Sequence, residues 1–134
     1  MDLGGILLNE DLRILVVDDF ATMRRIIRNL LRDSDLKNVT EAEDGEAALK
    51  ILQESTIDLV ITDWSMPNMT GIDLLRSIRA DEYLKTIPVL LVTAEAKREQ
   101  ILEAVTLGVN GYIIKPFTAE TLKEKLEKIL LKTG

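Results

Sequence analysis

"RILVVDDFATMRR", residues 13–25, decides how this chain is read. A run of aliphatic residues stops at two adjacent carboxylates, Asp18 and Asp19, and a pattern of helical period follows. An aliphatic run this continuous reads as a strand of a parallel sheet covered on both faces. Four more runs follow it: "NVTEA" (38–42), "IDLVITD" (57–63), "IPVLLVT" (87–93) and "GYIIK" (111–115). Amphipathic segments lie between them and after the last: 20–33, 45–55, 71–81, 97–108 and 119–132. The first places Met23, Ile26, Ile27, Leu30 and Leu31 on one side, with Arg24, Arg25, Arg28 and Arg32 largely on the other as a solvated face. Thr118 is the expected N-cap of the last helix, and Gly108 the expected C-cap of the fourth. This fivefold βα alternation, without linker or low-complexity segment, predicts a doubly wound α/β fold around a five-stranded parallel sheet.

Composition narrows the function. With 134 residues the chain is expected to hold one domain, over residues 13–132, preceded by a loosely ordered extension over 1–12. A net charge of −6 argues against a nucleic-acid surface, which needs a basic stripe. Cysteine and histidine are both absent, which removes disulfides, thiolate nucleophiles, Cys/His zinc sites and histidine acid–base chemistry. The N-terminal segment has an apolar run of only three residues, Ile6–Leu8, and no basic start, so it does not read as a signal peptide. No stretch approaches the ~20 apolar residues of a membrane span. A cytoplasmic monomer is the expectation.

Ligands of open α/β sheets bind beyond the carboxyl ends of the strands. The predicted strands close with Asp18 and Asp19, with Asp63, with Thr93 and with Lys115, five polar side chains on one edge. Two carboxylates ~5 Å apart at an effective dielectric of ~20 repel by about 3 kcal/mol, so either a proton or a cation belongs among them. All-oxygen ligands select a hard ion, and Mg²⁺ takes one or two carboxylates while keeping several waters. Three aspartates and one lysine leave two negative charges, which one divalent ion neutralises. A metal, a lysine and a threonine hydroxyl around a carboxylate suit phosphoryl transfer, and Asp63, on the central strand, is the natural covalent acceptor.

The motifs "LVVDDF" (15–20), "DWSMPNMTG" (63–71), "VTAEAK" (92–97) and "GYIIKPF" (111–117) closely resemble the receiver domains of bacterial two-component response regulators, in particular the single-domain chemotaxis type. The resemblance runs from about Arg13 to Lys132. It implies a flavodoxin-like sheet of strand order 2-1-3-4-5 and Asp63 as phosphoacceptor. It also implies Mg²⁺ held by Asp19, Asp63 and the backbone carbonyl of Ser65, with Asp18 acting largely through metal-bound water. Lys115, before a typically cis Pro116, is implied as the phosphoryl contact, and Thr93 and Tyr112 as the switch pair. The implied partners are a chemotaxis histidine kinase, the flagellar motor switch and a phosphatase, with no nucleic acid or membrane. Ile101, Tyr112, Ile114 and Lys125 belong to the implied partner face. With no output segment read after residue 134, the output is expected to be a protein contact. The implied role is a phosphoprotein switch with self-phosphorylation and self-dephosphorylation, not a conventional enzyme.

Two positions depart from the family pattern. Ser65 stands where close relatives carry Asn, which bears on phosphate lifetime together with Glu95, and Thr70 replaces an acid. Three rival readings stand beside the switch. One is a paralogue that drains phosphate or serves a non-motor pathway. Another is a Mg²⁺-dependent aspartyl phosphatase acting on external substrates, which would want an acid–base residue at Ser65. The last is a flavin carrier, for which the first loop lacks a phosphate cradle.

Overall fold

The computed structural model describes residues 11–133, so the expected extension lies outside the described residues except for Asp11 and Leu12. Ten elements alternate: β1 (Ile14–Val17), α1 (Ala21–Arg32), β2 (Val39–Ala42), α2 (Gly45–Glu54), β3 (Leu59–Asp63), α3 (Gly71–Ala80), β4 (Val89–Thr93), α4 (Arg98–Thr106), β5 (Gly111–Ile114) and α5 (Ala119–Thr133). All strand pairs are parallel and the sheet order is β2-β1-β3-β4-β5, as the resemblance implies.

The period of two along each strand divides the core. Leu15, Val17, Val60, Val89 and Leu91 face a layer built with α2, α3 and α4, through Ala48, Leu52, Leu74, Leu75, Ile78 and Ala104. Ile14, Val16, Leu59, Ile61, Leu90, Val92 and Ile113 face α1 and α5, through Ile27, Leu31, Leu122, Leu126 and Ile129. Both faces are covered, which explains the unbroken aliphatic runs. Ile26 departs from the expected buried stripe: it is 45% exposed, while Ile27 and Leu31 are buried and Met23 and Leu30 pack at the margin. The stripe on α1 is narrower than its count of aliphatics suggests.

Local chemistry sets the helix ends. The Asp44 carboxylate accepts from the Ala47 N–H and caps α2. Thr70 and Asp73 form a reciprocal capping box on α3, which gives the departure at Thr70 a structural role. Thr118 caps α5 through the Thr121 N–H. Gly108 follows the cap residue Leu107 with φ +84°; Gly108 N–H donates to the Val105 carbonyl and Val109 N–H to that of Ala104, a Schellman closure.

Two contacts fix the central strands. The Arg79 guanidinium donates to the carbonyls of Gly108, Lys85 and Ile87 and to Asn110 Oδ1, which also accepts from the Val89 N–H. This latch ties α3 to the start of β4 and to the loop after α4. At the other end, Gly71 opens α3 directly against the carbonyl of Asp63, with its N–H on the Trp64 carbonyl at 2.8 Å. A Cβ there would run into the Asp63 carbonyl and meet Leu91 at 3.0 Å. Backbone must therefore shift, and Gly71→Ala is expected to cost about 1–3 kcal/mol in urea unfolding, the range of overpacked cores.

Candidate functional site

The sheet order reverses between β1 and β3, because the chain passes from β1 out to β2 and returns on the other side to β3. That is where an open α/β sheet leaves a crevice. Register brings the carboxyl ends level there: Val17 pairs with Thr62, Asp63 with Val92, and Thr93 with Ile114. The aspartates, the threonine and the lysine predicted at strand ends do meet at one edge.

Asp18 is fully buried and held at three points. Its N–H donates to the Ala42 carbonyl, its own carbonyl accepts from Arg24 Nη1 at 2.6 Å, and its Oδ1 accepts from the Phe20 N–H at 2.9 Å. The other oxygen, Oδ2, is buried without a hydrogen bond; its nearest cation is Lys115 Nζ at 3.8 Å. Asp63 Oδ1 accepts from the Trp64 N–H at 3.0 Å and pairs with Lys115 Nζ at 3.2 Å. Lys115 reaches this point because its N–H extends the ladder to the Thr93 carbonyl, ahead of the cis Lys115–Pro116 peptide. Asp19 is exposed, and carboxylate oxygens of Asp18, Asp19 and Asp63 lie within 4.8 Å of one another.

Burial pushes the Asp18 carboxyl above its ordinary range, and the charges of Asp63 and Asp19 push the same way; the Phe20 N–H and Lys115 oppose them. A buried oxygen without a hydrogen bond in an all-carboxylate cluster with one lysine is the donor set of a hard divalent cation, and it fits Mg²⁺. The cleft above it, about 330 Å³, is lined by Asp19, Phe20, Asp63, Ser65, Glu95 and Lys115, among others.

Thr93 lines the same cleft, whereas Tyr112 lies outside it. The Thr93 hydroxyl donates to the Glu95 carbonyl at 2.8 Å and accepts from the Glu95 N–H at 3.2 Å, so it is engaged with its own loop. Tyr112 packs half-buried against the α2–α4 side of the core, with Lys125 Nζ 5.5 Å from its ring centroid. Tyr112, Ile114 and Lys125 line a separate cleft of about 380 Å³, and Ile101 lies outside that lining on α4.

Sequence reasoning missed Arg24 and Glu41. Arg24 reads as part of a solvated face, yet its side chain is only 16% exposed and bonds both Asp18 and Glu41. Arg28 also turns inward, onto Glu41 and the Val39 carbonyl. Only Arg25 and Arg32 of the four are exposed as expected. The spacing of six from Asp18 to Arg24 is the one local signal; Glu41 gives none, because it arrives from β2.

Comparison with known proteins agrees with this arrangement. Residues 14–127 match the family described as the response regulator receiver domain. The chain is 64% identical to chemotaxis protein CheY-3 of Vibrio cholerae over 92% of its length and 95% of that protein's. It is likewise 64% identical to chemotaxis protein CheY of Pseudomonas aeruginosa, over 88% of its length and 95% of that protein's. Among solved structures it is similar to chemotaxis protein CheY4 of Vibrio cholerae, with a TM-score of 0.82 and 33% identity, covering 88% of this chain and 98% of the other.

A raised carboxyl pKa makes the native state hold a proton that the unfolded state has released, so stability falls as pH rises from the ordinary value through the raised one. Above that window the full cost of the buried charge remains. Asp18→Asn removes it. In metal-free buffer at neutral pH the variant is expected to melt about 2–5 °C above the parent, with the gap shrinking as pH falls through the window. Equal melting temperatures at neutral pH would show the buried charge to be already compensated.

Proposed function

The chain belongs to the response regulator receiver family, and from that premise we propose that it is a chemotaxis-type switch driven by phosphorylation of Asp63. The observation that carries this reading is Lys115 Nζ, 3.2 Å from Asp63 Oδ1, beside Asp18 Oδ2, which makes no hydrogen bond. One carboxylate thus has a cation on one side and acidic ligands on the other.

In this reading Asp19, Asp63 and the backbone carbonyl of Ser65 would hold Mg²⁺, with Asp18 acting indirectly from beside them. Bound there, the ion would supply charge compensation for phosphoryl oxygens. An Asp63 oxygen attacks the phosphorus of a phosphohistidine on the kinase; an O–P bond forms, the N–P bond breaks, and the imidazole leaves and takes a proton from solvent. Lys115 meets the added negative charge as a point charge. Thr93 then exchanges its bonds to Glu95 for a phosphoryl oxygen, and Tyr112 turns inward into the space this opens. The face carrying Ile101, Tyr112, Ile114 and Lys125 changes with it. The proposed readers are a histidine kinase upstream and, downstream, the flagellar motor switch, supported by the likeness to the Vibrio and Pseudomonas chemotaxis proteins. Such a protein is a signalling switch whose only chemistry is on itself.

A small acyl phosphate with Mg²⁺ tests the reading directly. Intact mass is expected to rise by one phosphoryl group, labile in base and mapping to Asp63, and Asp63→Asn is expected to abolish it. Label on serine or threonine in that variant would overturn the assignment.

A second reading, a regulator that drains phosphate, is favoured by one feature. Ser65 is exposed on the cleft, and its single hydroxyl leaves the approach to Asp63 wider than Asn would. Ser65→Asn is expected to lengthen the life of the aspartyl phosphate severalfold in single-turnover decay. Mg²⁺ affinity is expected to stay nearly the same, because the ligand at that position is the carbonyl. Equal or faster decay would give control of the attacking water to its orientation, or to Glu95.

A further inference from the structure

We propose that Arg24 and Glu41 form a positioning pair for the acidic corner, an inference that rests on the Mg²⁺ site described above. Arg24 Nη1 donates to the carbonyl of Asp18 at 2.6 Å, and Nε of the same guanidinium donates to Glu41 Oε1 at 2.9 Å. Arg28 Nη2 holds the other oxygen of Glu41 at 3.1 Å and also reaches the Val39 carbonyl at 2.9 Å. Glu41, on edge strand β2, is therefore gripped from two successive turns of α1.

The carbonyl that Arg24 holds belongs to the peptide joining Asp18 to Asp19. Rotation of that peptide would redirect both carboxylates at once. The N–H of Asp18 is fixed by Ala42 and its Oδ1 by Phe20, so the guanidinium supplies the remaining anchor. A planar fork can bond two acceptors in fixed directions, which a single ammonium cannot reproduce.

Charge alone predicts the opposite of positioning. Arg24 is a cation close to a cation site, so removing its charge would tighten Mg²⁺ binding by Coulomb repulsion relieved. If it acts by orienting the ligand-bearing peptide, removing it weakens binding instead. Partners one shell beyond a metal's ligands typically change affinity by about 10–100-fold. The sign of the effect separates the two roles.

Mg²⁺ titration of the full chain, read by emission of Trp64 beside Asp63, tests the pair at about 0.15 M salt, where distant charges are screened. Arg24→Ala is expected to raise the Mg²⁺ dissociation constant about tenfold. Arg24→Lys keeps the charge and suits the case where the alanine variant does not fold; it is expected to remain several-fold weaker than the parent. Glu41→Gln is expected to weaken binding a few-fold in the parent and to have no further effect beside Arg24→Lys or Arg24→Ala. Metal-free melting of each variant separates loss of affinity from loss of fold. Unchanged or tighter binding in both Arg24 variants, while Asp19→Asn loses binding, overturns the pair alone. An additive Glu41→Gln effect also overturns it, since the glutamate would then act by charge and not through Arg24. If neither Asp19→Asn nor the Arg24 variants move the titration, the corner is not the metal site and both readings fall.

Discussion

Three carboxylates held within 4.8 Å of one another, against a single lysine, are the constraint on which the rest of this structure depends. Such a cluster repels itself, and burial of Asp18 makes the repulsion harder to screen. A chain free to relax would separate the charges. This one cannot, because each aspartate sits on or just past a strand whose preceding residues are locked in the core. Folding energy from the aliphatic strands maintains a corner that is electrostatically unfavourable on its own.

Rigidity at the corner comes from both ends of the sheet. Gly71 lets α3 begin against the Asp63 carbonyl, so the strand carrying Asp63 and the helix after it meet without a side chain between them. Far from the site, Arg79 ties α3, the start of β4 and the loop after α4 into one unit. The β4 strand so anchored is the one that ends at Thr93. The acidic corner and the threonine thus stand on a common frame, and the Thr93–Glu95 loop begins just beyond it.

That loop also lines the site cleft. Thr93 exchanges both a donated and an accepted bond with Glu95, a local closure that phosphoryl oxygens could compete for. Tyr112 is half-buried beside it in the sheet, on the strand paired with β4, and Leu91 and Tyr112 face each other in register. A change at the carboxyl end of β4 therefore has a short path to the face carrying Tyr112, Ile114 and Lys125. The switch proposed above requires that the loop have two arrangements of similar energy.

Much of this was legible in the sequence. The strands, helices and their alternation follow from periodicity, because burial on both faces of a parallel sheet demands continuous aliphatics. Asp18, Asp19, Asp63, Thr93 and Lys115 come together at one edge because strand ends are local and the fold brings parallel strand ends together. The caps at Thr118 and Gly108 are local chemistry too. Ile26, Arg24 and Glu41 were not legible in the same way. Whether Ile26 meets the core depends on how α1 rolls against β1 and α5, and a count of aliphatics does not set that angle. Arg24 looks like any solvated arginine until β2 brings Glu41 alongside it, 17 residues away in sequence. The sequence by itself determined the elements and the chemistry at their ends; tertiary structure alone decided which side chains steady that chemistry, because a contact between distant segments has no period for a sequence to carry.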